Sequence, residues 1–183
     1  MSLALTNLAS VQLERNEFSK AIKNASLSID YLTSLNDLNG LGETHSILGI
    51  VYKEQKKFNL ASLNFNKALV YYESANNKEK IASVYHNVGT VFKEQGKYKN
   101  ALNYLNRSVA IREQYGAQNQ IYQTYRTIAD VYKQIRNNEK SLKYMELYLN
   151  YLDSNTALQS ATKIAELSES YRSEQRERLI NSQ

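Results

Sequence analysis

The strongest constraint in this 183-residue sequence is an internal repeat with a period of 40 residues. Residues 49–55 read GIVYKEQ, residues 89–95 read GTVFKEQ, and residues 129–134 read ADVYKQ. At this shift, residues 41–80 and 81–120 share nine identical residues without a gap. A fixed period of this length is typical of a solenoid, in which stacked repeats present an extended surface and rarely a catalytic pocket. The repeat therefore favours a binding function.

The composition favours helices. Proline is absent and glycine occurs only six times, so few positions force a helix to end. The absence of cysteine excludes disulfides, zinc–thiolate sites and cysteine nucleophiles. The net charge of +5 comes from scattered residues, which is more typical of a solvated surface than of a nucleic-acid site. No apolar run is long enough to span a membrane, and no signal peptide is recognisable.

Residues 81–120 form the clearest unit, because apolar and small residues recur at helical spacing in each half. These residues are Tyr85, Val88, Gly89 and Phe92, then Tyr98, Ala101, Leu102, Leu105, Ser108 and Val109. Gly96 predicts a tight turn between the halves, since glycine tolerates a left-handed backbone. Residues 116–119 predict a polar connector, and Asn77 predicts the cap at the start of the unit's first helix.

Small residues predict where the two helices of a unit meet. Gly49 and Gly89 fall within predicted first helices, where glycine costs about 1 kcal/mol relative to alanine. That cost is best explained by a neighbour too close for a side chain. The matching positions on the second helices also carry small residues, namely Ala21, Ala61, Ala101 and Ser141. We expect the helices to touch there, with Tyr52, Phe92 and Tyr132 filling the adjoining space.

These residues resemble the tetratricopeptide repeat, whose unit is two antiparallel helices. The resemblance is carried by Tyr85, Val88, Gly89, Phe92, Gly96, Tyr98, Ala101, Leu105 and Ser108. The period is 40 rather than the common value of about 34, and the usual proline is missing. In both respects the repeat is similar to those of the longer-helix branch of the family, which includes kinesin light chains and bacterial regulatory proteins. The resemblance implies an all-α fold, a right-handed α-α superhelix (solenoid) of about four helical hairpins plus a C-terminal capping helix.

The predicted division has two parts, 1–156 with four repeats and 157–183 with a capping helix and polar tail. The repeats are placed at about 2–40, 41–80, 81–120 and 121–156. The capping helix is predicted from Ala157, Leu158, Ala161, Ile164, Ala165 and Tyr171, which recur at helical spacing. The abrupt start of the helical pattern at Ala4 suggests a piece of a longer protein.

No pattern of catalytic residues is found, so we expect no enzymatic activity, no cofactor and no metal. His45 aligns with Tyr85 and Tyr125 and is interpreted as a packing residue, whereas His86 falls on another face of its helix. The 15 tyrosines are also compatible with base stacking, but predicted core faces contain Tyr52, Tyr85, Tyr98, Tyr125, Tyr132 and Tyr144.

The resemblance places one stripe of each first helix in a concave groove. The stripe comprises Thr6, Ser10 and Leu13 in the first unit, and the peptide-groove candidates Ser46, Ile50, Lys53, His86, Thr90, Lys93, Arg126, Asp130 and Lys133 in the others. The three lysines could hold an acidic peptide or a terminal carboxylate. The alternative is that they pair with acids such as Glu54 and Glu94, or are solvated. Ser46 and Ile50 also depart from the clamp that chaperone-binding members of the family use.

The preferred function is a protein-interaction scaffold that binds a peptide or helix of a partner protein. One alternative is the sensory or dimerisation arm of a larger bacterial signalling protein, such as a histidine kinase or a helix-turn-helix regulator. Another, weaker alternative is a nucleic-acid-binding helical repeat. The expected partner is a protein or an acidic peptide, with no nucleic acid and no membrane in this segment, and a homodimer could form through end repeats or the C-terminal helix. A cytoplasmic location is favoured, and a periplasmic one would apply to the arm of a membrane-anchored sensor.

Overall fold

The computed structural model of the chain describes residues 2–115, 120–151 and 157–180. Every regular element in these ranges is a helix, and the α-helices are α1 (Ser2–Glu14), α2 (Phe18–Leu35), α3 (Leu38–Glu54), α4 (Phe58–Ser74), α5 (Lys78–Glu94), α6 (Tyr98–Tyr115), α7 (Ile121–Gln134), α8 (Asn138–Asn150) and α9 (Ala157–Ile180). Consecutive helices pack as pairs within each compact unit, so the predicted all-α fold of helical hairpins is confirmed. The predicted repeat boundaries stay a prediction.

The chain divides into two compact units, Met1–Ile111 and Arg112–Gln183. In the first unit α1 pairs with α2 and α3 pairs with α4, while α2 contacts α3 and α4 contacts α5. The first helices of successive hairpins, α1, α3 and α5, also contact one another in order. In the second unit α7 pairs with α8, and α9 packs on α8. The predicted connector at 116–119, the end of the last predicted repeat at 152–156 and the side chains of Ala157, Leu158 and Ala161 lie outside the described part of the chain.

Asparagine and aspartate side chains mark three helix starts. The Asn77 side chain accepts a hydrogen bond from the backbone N–H of Lys80 at 3.2 Å, which confirms the predicted start of α5. Asp37 caps α3 and Asn137 caps α8 in the same way. Each side chain satisfies a backbone donor that has no partner within the first turn of a helix.

The close approach predicted at the mid-helix glycines is confirmed. A Cβ atom placed on Gly89 would lie 2.7 Å from Leu105 Cγ and 3.2 Å from the carbonyl oxygen of Ala101. A Cβ on Gly49 would lie 2.5 Å from the ring of Phe65. Leu105, Ala101 and Phe65 are fully buried, so the hairpins are closed by contacts that leave no room for a side chain on the first helix.

The tight turn inside each hairpin requires a left-handed backbone at one position. The residues at that position are Asn16, Lys56, Gly96 and Arg136, which are spaced by 40 residues and have φ values of 59°, 57°, 72° and 58°. The prediction for Gly96 is therefore confirmed. A left-handed conformation costs a residue with a side chain roughly 1–2 kcal/mol, so Lys56 and Arg136 carry strain that glycine avoids.

We expect Gly89→Leu to destabilise the chain by roughly 1–3 kcal/mol, because the new side chain would overlap Leu105 and the Ala101 carbonyl. Urea unfolding followed by circular dichroism measures the change. Asn103→Leu is the control, because Asn103 is exposed on α6 and should change stability by no more than about 0.5 kcal/mol. Equal stability of Gly89→Leu and wild type would contradict the close approach.

We expect reciprocal effects at the turn position. Lys56→Gly should stabilise the chain by about 0.5–1 kcal/mol, since it relieves a left-handed backbone, and Gly96→Lys should destabilise it by a similar amount. The space around Gly96 is open, so steric overlap would not obscure the backbone effect. Thermal unfolding of both variants measures the pair, and shifts of the same sign would refute the argument.

Candidate peptide-binding surface

Six of the candidate groove residues lie in the first unit, on two helices that contact each other. Ser46, Ile50 and Lys53 lie on α3, and His86, Thr90 and Lys93 lie at the equivalent positions of α5. We call these six residues the basic stripe. All six are half-buried, so their side chains border packed surface while remaining accessible to solvent.

The apolar and hydroxyl members of the basic stripe are engaged with their own unit. Ser46 Oγ donates to the Gly42 carbonyl at 2.9 Å, and Thr90 Oγ1 donates to the His86 carbonyl at 3.0 Å. Ile50 packs against the hydrophobic cluster that α4 and α5 share, so it supports the core as well as lining the surface. Each hydroxyl oxygen can still accept a hydrogen bond from a ligand.

Lys53 of the basic stripe forms an ion pair with its sequence neighbour Glu54. Its Nζ atom lies 2.9 Å from Glu54 Oε1, and only 15% of its side chain is exposed. The alternative in which the lysines pair with neighbouring acids therefore holds for Lys53. Because an ammonium group carries three donors, this pair still leaves Lys53 able to bind a carboxylate.

The other three candidates lie on α7 in the second unit. Arg126 is exposed, and its guanidinium carbon lies 5.8 Å from the centre of the Tyr148 ring on α8. This distance is that of a cation–π contact, which orients the arginine along α8. Asp130 is half-buried, and Lys133 is exposed near the end of α7.

The expected stripe does not extend onto α1 at Thr6. Thr6 is buried, and its hydroxyl lies 2.7 Å from Ser28 Oγ and 3.0 Å from Thr44 Oγ1. These hydroxyl groups join α1 to α2 and α3, so Thr6 contributes to packing rather than to a groove. The expectation for Thr6 was wrong because its residue type does not reveal that Ser28 and Thr44 lie within reach.

His45 packs as the alignment predicted. It is buried in α3, where its ring stacks on Tyr71 with centroids 5.6 Å apart, and its Nδ1 lies 3.0 Å from Asn64 Oδ1. Burial lowers the pKa of His45 below its usual 6.5, although the hydrogen bond to Asn64 opposes this shift. His45 is therefore a packing residue with a polar partner in the core.

Several tyrosines pack between helices, as expected for Tyr125 and Tyr144. Tyr72 is buried against Gly42, and burial raises its pKa to about 12, so its hydroxyl stays protonated at neutral pH. In the second unit the Tyr125 ring lies near those of Tyr144 and Tyr151. Rings held in such clusters are poorly placed to stack on the bases of a nucleic acid.

Sequence reasoning missed a cleft in the second unit. The cleft has a volume of about 750 Å³ and lies between α8 and α9, with the end of α7 on one side. Lys133 is the one candidate from the sequence that lines it, whereas Arg136 and Arg178 were not singled out. The spacing of these two arginines in the sequence does not indicate a shared site, because the cleft depends on how α9 packs against α8.

Within the described residues, no cluster of histidine, aspartate and glutamate side chains could hold a metal ion. Among the helices that the structure describes, no segment has the length and apolar character needed to cross a bilayer.

Residues 80–154 match a protein-family model described as tetratricopeptide repeat. The resemblance read from the sequence is thereby confirmed by an independent comparison. No relative was found among curated proteins.

Solved structures with the same fold come from several organisms. The chain is similar to aspartyl phosphate phosphatase F from Bacillus subtilis, with a TM-score of 0.83 and 17% identity over 99% of this chain and 48% of that chain. It is also similar to PilF from Pseudomonas aeruginosa, with a TM-score of 0.73 and 20% identity over 94% of this chain and 69% of that chain. A signal transduction ATPase with a tetratricopeptide repeat sensor, from Pyrococcus horikoshii, gives a TM-score of 0.75 and 20% identity over 89% of this chain and 25% of that chain. At these identities the likeness concerns the fold, and the chain spans only part of each protein.

We expect His45 to make stability depend on pH in mildly acidic solution. Its pKa is lowered in the folded chain, so the unfolded chain takes up a proton first as the pH falls below about 6.5. The free energy of unfolding should therefore decrease between about pH 7.5 and 5.5. His45→Tyr, which places the residue of the equivalent positions there, should flatten this dependence.

Urea unfolding at both pH values measures the effect. His86→Gln is the matched control, because it removes the other histidine and should leave the contribution of His45 intact. An identical pH dependence in His45→Tyr and wild type would show that burial of His45 does not perturb its protonation.

Proposed function

We propose that this chain is a non-enzymatic scaffold that binds a peptide or helix of a partner protein, because residues 80–154 match the family model of the tetratricopeptide repeat. The family's repeat is generally a protein-interaction module. The proposed binding surface is the basic stripe on α3 and α5 of the first unit. Arg126, Asp130 and Lys133 on α7 are the candidates for a binding surface in the second unit.

The contact between α3 and α5 is the observation that carries this proposal. It brings two sets of half-buried side chains, in the same 40-residue register, onto neighbouring helices. Each set contains a lysine, at Lys53 and Lys93, and a residue with a hydroxyl group, at Ser46 and Thr90. A ligand with carboxylates spaced along an extended or helical backbone would meet a cation on each helix, and charge-assisted hydrogen bonds are the stronger ones.

A second candidate function is the sensory arm of a larger signalling protein. The solved structure of the Pyrococcus horikoshii ATPase supports this candidate, because the tetratricopeptide repeat of that protein is a sensor. In such an arm the same surface would bind the signal, so both candidates predict partner binding through the basic stripe.

We expect the double variant Lys53→Glu/Lys93→Glu to lose partner binding about tenfold, because it replaces the stripe's two cations with anions. The immobilised chain is incubated with an extract of its native cells, and retained proteins are quantified by mass spectrometry. The control is Lys23→Glu/Lys67→Glu, which makes the same charge change at exposed positions of α2 and α4.

Circular dichroism and thermal unfolding confirm that both variants are folded before the comparison. Proteins retained by wild type and control but depleted on the stripe variant are the expected result. Retention of the same proteins at the same level by all three would refute binding through the basic stripe.

A further inference from the structure

The cleft between α8 and α9 exposes part of a face of α8, whereas the equivalent face of α4 is buried. In the first unit, Ala61 and Phe65 on α4 are completely buried in a cluster with Val88 and Val91 of α5. The equivalent residues of α8 lie 80 positions later.

Those equivalent residues are Ser141 and Met145, and both are only half-buried although α9 packs on α8. Helix α9 therefore covers this face incompletely and leaves the cleft of about 750 Å³. Leu142, Met145 and Leu167 form its apolar lining, and each of them is half-buried. An apolar side chain entering the cleft would remove this surface from water.

The rim of the cleft is cationic. Lys133, Arg136 and Arg178 line it, and Glu177 is the acidic residue among the lining side chains that the structure describes. All four of these side chains are exposed to solvent. Ser170 and Ser173 of α9 add hydroxyl donors at the same edge. Guanidinium groups bind carboxylates through paired hydrogen bonds, which favours an acidic ligand.

We propose that this cleft is a second peptide-binding site, which takes a segment of a partner protein that alternates acidic and large apolar residues. The apolar side chains occupy the space over Leu142, Met145 and Leu167, and the carboxylates meet Arg136 and Arg178. Charge complementarity selects this ligand, because an apolar lining under a cationic rim disfavours basic and purely polar segments. The site uses none of the six residues of the basic stripe.

The test uses the full chain and a short fluorescein-labelled peptide of alternating aspartate and leucine, with binding followed by fluorescence anisotropy. Wild type should bind this peptide at least about tenfold more tightly than a lysine–leucine or an aspartate–serine peptide. Arg136→Glu/Arg178→Glu should weaken binding about tenfold or more. Ser170→Trp should also weaken it, because the indole fills the cleft without changing a charge.

The matched control is Lys143→Glu/Arg172→Glu, which reverses two exposed charges on α8 and α9 outside the residues that line the cleft. This control, and the stripe variant Lys53→Glu/Lys93→Glu, should each bind the peptide as wild type does. A loss confined to the stripe variant would place the peptide on the basic stripe and overturn the cleft proposal, while leaving the proposed function standing.

Three further results would overturn the proposal. They are absence of binding to wild type, equal losses in the cleft variant and its control, and equal affinity for the aspartate–serine peptide, which would mean that charge alone drives binding. Hydrogen exchange gives a readout that does not depend on variants, since bound peptide should protect amides of α8 and of residues 164–173. Unchanged exchange there under saturating peptide would equally contradict the site.

Discussion

The fold depends on the close contact between the two helices of each hairpin. Leu105 lies so close to Gly89 that a Cβ atom would not fit there, and Phe65 lies similarly close to Gly49. Glycine is unfavourable within a helix, so its cost must be offset by the packing that it allows. Because the contact recurs at a shift of 40 residues, the same geometry recurs, and successive first helices are brought into contact along the first unit. The basic stripe exists because of that repetition.

Within this repeated geometry, the core positions accept polar residues where a neighbouring helix supplies a partner. His45 occupies a position that holds tyrosine in the next two repeats, and Asn64 on α4 supplies a hydrogen-bond partner. In the second unit, buried Arg112 donates to the Gln120 carbonyl and to the Thr124 hydroxyl. A buried polar group without a partner would cost roughly 1–3 kcal/mol, so each of these polar residues depends on the partner that its neighbouring helix supplies.

The features that recur with the 40-residue period could be predicted from the sequence. Gly89, the turn at Gly96 and the cap at Asn77 follow from residue type and local spacing, and the structure confirms each of them. The positions of the basic stripe remain a prediction about function, but their shared register follows from the same repeat. The burial of Thr6 could not be predicted, because it depends on hydroxyl groups 22 and 38 residues away. The cleft could not be predicted either, because α9 lies outside the 40-residue repeat and its position on α8 depends on tertiary packing.

The difference in burial between the equivalent faces of α4 and α8 explains where the proposed second site lies. In the first unit, Phe65 is fully buried beside Gly49 of α3 and in a cluster with Val88 and Val91 of α5. Helix α9 does not repeat that pattern, so Met145 keeps part of its surface exposed and the space beside it is edged by arginines rather than by valines. Exposed apolar surface of this kind persists at a thermodynamic cost, and a cationic edge limits which segments can cover it. Because α9 lacks the repeat pattern, part of the α8 face stays exposed, whereas the equivalent face of α4 is buried.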